Sequence, residues 1–266
     1  MSLSFHIDES TLAFHTLASA SRNDEHPDRC QSIKPFMERA RAIEKTSCEL
    51  IEYGLANGSF ELVYGPGGKT AEKFLHSIED VAGKMKNDPT FGPVLEDTKA
   101  ALAKIESEWK DDEILSTAIM QDLTGLPLDE HFDVYITHPC SEVDVAQAGR
   151  RIICTYREKP NKYNVVNLWY YICSSLLYEG RHGDKDHRST KGWAIRNILD
   201  LLFLEQRKRM MGSAEMPELK GSQLLLAESW HMYLQQKGHK DINQYIAQAC
   251  QVLDSAKTVK EPERSK

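Results

Sequence analysis

Most of the chain carries apolar residues at helical spacing, and two short runs have strand character. Phe36, Ala40, Ile43, Cys48 and Ile51 recur every three to four positions after Pro35. A proline is tolerated in the first turn of a helix, where its missing N–H is not needed. Thr70–Lys86 places Phe74, Leu75, Ile78, Val81 and Met85 on one side. Val94–Leu123 carries a longer stripe of Leu95, Leu102, Ile105, Trp109, Ile114, Ala118, Ile119 and Leu123, with Thr98 in one apolar position. The charged Lys110–Glu113 divides that stripe into two expected helices, and Asp88-Pro89 and Gly92-Pro93 read as breaks. Trp193–Met211, Ser222–Gln236 and Ile242–Ala256 are further helical patterns.

The period changes to two at Phe132–Thr137 (FDVYIT), ended by His138-Pro139, and again at Arg151–Tyr156 (RIICTY). The linker between them holds Gly149 and reads as a hairpin loop. Leu3–Ala18 mixes an apolar alternation with a helical pattern, and Ser19–Lys34 reads as a polar loop. Between the second strand and the loop Gly180–Lys191 lies the most continuously apolar stretch, Lys162–Gly180 (KYNVVNLWYYICSSLLYEG). Its apolar residues cover nearly every side of a helix, so it is expected to be buried all round.

These elements predict a predominantly helical α+β fold. The expected division is a mainly helical region over residues 1–125, a mixed region over 126–256 and a disordered charged tail over 257–266.

Composition narrows the function. Hydrophobic residues make up 41% and the formal net charge is −7, so a basic surface for nucleic acid or anionic lipid is not expected. No stretch reads as a secretory signal or a membrane span. The six cysteines are scattered without a CxxC pair, which suits free thiols in the cytoplasm, with Cys154 and Cys173 as small buried hydrophobes.

GPGGKT at Gly65–Thr70 follows a short apolar run and precedes a helix, the context of a phosphate-binding loop. The first glycine of that pattern would stand at position 63, which is Val63, and Pro66 removes a donor. A glycine-rich turn is the preferred reading, and nucleotide binding through Lys69 and Thr70 a distant alternative. The loop carrying Glu179, His182, Asp184, Asp186 and His187 has metal-ligand residue types. It also carries Arg181, Lys185, Arg188 and Lys191, so a solvated loop is preferred.

One resemblance joins several of these stretches. VYITHP at Val134–Pro139, YNVVNLWYYICSSLLY at Tyr163–Tyr178, Asp186-His187 and LEQRKRMMG at Leu204–Gly212 stand in one order. Together the segment from Phe132 to about Met211 resembles the zincin metallopeptidase core whose third zinc ligand is a glutamate. More narrowly it is similar to bacterial zincin-like proteins with a "YVTHP" strand and a "YxxVYLWHEILHSY" helix. The resemblance implies a peptide or protein ligand added along strand Phe132–Thr137, beside an active-site helix. It also implies two histidines four residues apart with a glutamate base between them. Tyr170, Tyr171 and Ser174 occupy those positions, and only Glu205, matching the third ligand, remains. Catalytic zinc needs three protein ligands, so no zinc and no cofactor are expected. The leading expectation is a non-catalytic pseudo-peptidase acting as a binding or regulatory module. The alternative is an enzyme with a rebuilt metal site drawing on His182, His187 and Glu205.

Overall fold

The computed structural model describes residues 1–20, 32–46, 48–49, 69–140, 146–148, 150–158, 162–178, 189–211, 219 and 221–258. Among them are eight helices and four strands, a predominantly helical α+β fold. In chain order they are β1 (Ser2–His6), α1 (Glu9–Ala20), α2 (Ile33–Ile43), α3 (Lys69–Met85), α4 (Phe91–Thr124), β2 (His131–Thr137), β3 (Ala146–Ala148), β4 (Arg151–Thr155), α5 (Tyr163–Leu177), α6 (Thr190–Met211), α7 (Ser222–Leu234) and α8 (Ile242–Thr258). No helix among the described residues is long and apolar enough to cross a membrane.

Two compact units interleave along the chain. One takes Ser2–Lys110 and His131–Lys159; the other takes Asp111–Glu130 and Pro160–Lys266. Each draws on both regions expected from the sequence, and the division falls inside α4.

In the first unit the sheet runs β1-β2-β4-β3. β1 pairs β2 in parallel from Ser2↔His131 to His6↔Tyr135, and β2 pairs β4 in parallel from Asp133↔Arg151 to Thr137↔Thr155. The linker is therefore not a hairpin between the two predicted strands. The antiparallel partner of β4 is instead β3, with Ala148 opposite Arg151. His6 Nε2 reaches Asp133 Oδ1 at 3.0 Å and ties β1 to β2, while His131 Nε2, on β2 itself, lies 3.5 Å from the same oxygen. Phe132, Val134 and Ile136 alternate into the core, as a strand of period two requires. α1 packs on β2, α2 and α3, and its buried Leu12, Phe14 and Leu17 join Phe36, Met37, Val81, Met85 and Phe91 in one cluster.

α4 corrects two expectations. Gly92-Pro93 does not interrupt the chain, because Pro93 stands in the first turn of the helix, where its nitrogen has no partner to lose. Nor does Lys110–Glu113 divide it: Lys110 and Glu113 lose little side-chain freedom in a helix, and buried Asp112 accepts a bond from Lys162 Nζ. Buried Thr98 satisfies its hydroxyl on the Val94 carbonyl at 2.8 Å, which lets it take an apolar position. The helix ends at Gly125, whose φ of +66° is left-handed. A Cβ there would stand 1.6 Å from the Lys240 carbonyl oxygen, so both the conformation and the space call for glycine.

In the second unit α6 is the hub, packing on α5, α7 and α8. α5 was the helix expected to be buried all round. Its buried residues, from Asn164 to Ser175, cover about 200° of the circumference. Asn167, Tyr170, Tyr171 and Ser174 lie on the remaining side, half-buried. Their polar tips keep that side near water while Val165, Leu168, Trp169 and Ile172 face inward. Cys154 and Cys173 are buried free thiols, and burial pushes both up to about 12.

Candidate functional site

The helix positions singled out by the sequence form a partly accessible polar cluster. Tyr170 and Ser174, one turn apart, share the half-buried side of α5. The Tyr170 ring stands edge-on to Tyr171 at 5.4 Å and to Phe203 of α6 at 6.1 Å. Asp200, one turn before Phe203 on α6, lies close enough to act electrostatically on the Tyr170 hydroxyl. Gln223 of α7 donates Nε2–H to Asp200 Oδ2 at 3.1 Å, and Ser222 donates to Asn197 Oδ1 at 2.6 Å. Burial pushes the Tyr170 phenol up. Burial also pushes Asp200 up, and outweighs the lowering by Gln223, Arg196 and Tyr170.

Glu205 does not join this cluster. Two residues along a helix is about 200° of rotation, so Glu205 stands nearly opposite Phe203 on α6. There Arg209 Nε donates to Glu205 Oε1 at 3.1 Å, and Arg209 Nη1 donates to Asp122 Oδ2 of α4 at 2.6 Å. Asp122 also takes Lys240 Nζ at 3.5 Å. The carried-over third ligand is thus engaged in an ion-pair chain. Asp200 is the carboxylate that meets Tyr170. His182 and His187 lie outside the described residues, as do Gly65–Gly68 of the glycine-rich turn; Lys69 and Thr70 open α3. Among the described residues no three His, Cys, Asp or Glu side chains are placed to hold a metal ion.

β2 cannot receive a peptide in the way the resemblance implies. It is second of four strands, and β1 and β4 occupy both of its edges, so its backbone groups are already paired.

A second cluster, in the other unit, shares only His138 with the sequence motifs, as the histidine of VYITHP. Ser32 is the N-cap residue of α2, Asp97 lies in the second turn of α4 and His138 follows β2. Ser32 makes no capping bond and donates its hydroxyl to Asp97 Oδ2 at 2.6 Å. His138 Nε2 lies 3.1 Å from Ser32 Oγ and 3.3 Å from the same Oδ2. The Cys140 backbone N–H donates to His138 Nδ1 at 3.1 Å, which makes Nδ1 the acceptor and leaves the proton on Nε2. A serine nucleophile needs that nitrogen free to take its proton, so this tautomer does not form a Ser-His-Asp relay. His138 is 2% exposed, and its burial holds its pKa down against the raising effect of Asp97.

Beside the cluster runs an open groove of about 590 Å³. Pro35, Pro89 and Pro93 wall it, with Ser32, Thr90, Glu96 and Asp97 as its polar lining. His138-Pro139 was legible as a strand stop and as the end of VYITHP, with no role given to His138 itself. Nothing local joins residues 32, 97 and 138; the one nearby signal was a serine before a helix that does not cap it.

Comparison of the chain with family models, with curated proteins and with solved structures finds no match.

Proposed function

We propose that this chain works by binding, as a zincin-like scaffold without metal-dependent hydrolysis. The observation that carries this reading is where α5 spends its Tyr170 side chain. The ring packs edge-on to Phe203 and stands beside Asp200, which Gln223 holds. A phenol pushed above its ordinary range by burial is a weak metal ligand at neutral pH. Glu205, which the zincin resemblance would make a ligand, answers to Arg209 instead. The buried free thiols Cys154 and Cys173 suit a reducing, cytoplasmic setting.

The test is zinc content after equilibration with a zinc buffer, read together with hydrolysis of a quenched-fluorescence peptide library. The expected result is no tightly held zinc and no cleavage. One equivalent of retained zinc would overturn the reading and favour a rebuilt site that includes His182 and His187.

A further inference from the structure

We infer that the groove between α2 and the start of α4 is a docking site for a basic segment of a partner protein, with one lysine or arginine side chain seated on Asp97. This rests on the binding-module reading only in taking the partner to be a protein segment.

The chemistry of Asp97 points to a cation. Among the described residues both of its bonds, from Ser32 and His138, fall on Oδ2. Oδ1 is left to accept from a ligand, and the side chain is 53% exposed. Both partners are neutral: a serine hydroxyl, and a histidine whose burial disfavours its charged form. The carboxylate is therefore aimed and held without being neutralised. Its neighbour Glu96 is matched by Lys99 at 2.8 Å on the same helix, so Asp97 supplies the uncompensated charge. Among the described residues the groove lining contains two carboxylates and no ammonium or guanidinium.

The walls fit the rest of such a side chain. Three proline rings offer apolar surface to a lysine or arginine stem, which prefers to lie on such surface with its charged head at a polar group. The same rings fix the backbone beneath them. The turn between Pro89 and Pro93 is also tied down, because Asp88 accepts from Arg39 at 2.8 Å and from the Thr90 amide at 3.0 Å. A groove that is already rigid loses little freedom on binding. Ser32 supports the same use: it gives up the bond that would cap α2 and orients Asp97 instead.

The experiment is fluorescence anisotropy with the labelled peptide Arg-Gly-Arg-Gly-Arg at low salt, and with Glu-Gly-Glu-Gly-Glu as the charge-reversed control. The full chain is compared with Asp97→Asn, Glu96→Gln and, as a distant exposed carboxylate, Asp111→Asn. Saturable binding of the basic peptide alone is expected, weakened about tenfold by Asp97→Asn and unchanged by Asp111→Asn. Asn keeps an oxygen for Ser32, and a matching thermal midpoint shows that the variant is folded. If Asp97→Asn misfolds, Glu96→Gln decides, since it removes the partner of Lys99, whose freed ammonium at the rim should weaken binding of the basic peptide about two- to threefold. No saturable binding, or equal losses in Asp97→Asn and Asp111→Asn, would overturn the site. Neither outcome bears on the absence of hydrolysis, which zinc content and peptide cleavage judge separately.

Discussion

The two polar clusters show how differently similar side chains behave in two parts of one chain. In the unit built on α6, the Gln223 amide holds Asp200 beside Tyr170, and burial pushes that carboxyl up. In the unit built on the sheet, a serine hydroxyl and a neutral histidine hold Asp97, and the side chain stays 53% exposed. The first cluster stands where a resemblance led us to look, and its members are spent on packing. The second was touched by a motif only at His138, and its Asp97 lines an open groove. A position suggested by sequence order is thus only as functional as the neighbours that the fold brings to it.

The largest effect should come from removing the support of the first cluster. Trp169 is fully buried on the inward side of α5, opposite the arc that carries Tyr170. Trp169→Ala should cost about 3–5 kcal/mol in denaturant unfolding, because a large core side chain leaves a cavity that relaxes only in part. An unchanged midpoint would show that α5 is not held from within, and the packing account of Tyr170 would fail with it.

Acid should then separate the two regions. His138 and the fully buried His15 both lie in the sheet unit, and burial lowers both, His15 to about 3. Their folded values lie below the unfolded value near 6.5. The stability they contribute is therefore complete above that value and is lost as pH falls from it toward the folded values. Each histidine gives a slope of about 1.4 kcal/mol per pH unit within its window. Asp200 has the opposite sign: its folded value is raised, so the cost of its charge is relieved as pH falls through it. Amide exchange at pH 7 and pH 5 should show protection lost in α1 and β2 before α5 and α6. Equal losses in both regions would contradict the assignment of acid sensitivity to the histidines.

Smaller changes sharpen the first cluster. Tyr170→Phe keeps the ring against Phe203 and removes the hydroxyl, which should cost about 1 kcal/mol. Asp200→Asn keeps an acceptor for Gln223 and removes a partly buried charge, so it should lie within about 0.5 kcal/mol of wild type at pH 7. A loss above 2 kcal/mol for Asp200→Asn would mean that its charge is needed, and a binding or catalytic use of that carboxylate would have to be considered.

Much of the helical frame was legible from local pattern. Thr70–Lys86 and Trp193–Met211 follow the apolar period, and α3 and α6 extend it by one and three residues at the start. Phe132–Thr137 alternated clearly enough to place β2 to within one residue. What escaped was non-local. β1 pairs with a strand about 130 positions away, and no property of LSFH announces that partner. The parallel pairing of β2 and β4 was missed because a short linker with a glycine also suits a hairpin. Pro93 was read as a break because proline signals both the end of one helix and the first turn of the next. Tyr170, Tyr171 and Ser174 were found as positions on one helix, but their neighbours Asp200, Phe203 and Gln223 come from α6 and α7. Ser32, Asp97 and His138 lie up to 106 positions apart, so only the fold could assemble them.

The most direct measurement restores the zincin ligands to α5 and asks which carboxylate answers. The variant Tyr170→His, Tyr171→Glu, Ser174→His is prepared with and without Glu205→Gln, its fold checked by circular dichroism, and its zinc affinity measured by competition with a chelating dye. Because Glu205 stands about 200° from Phe203 and is engaged by Arg209, the account predicts that Glu205→Gln leaves zinc affinity unchanged. One tightly bound equivalent of zinc that is lost on Glu205→Gln would place Glu205 at the face of α5 and contradict the account.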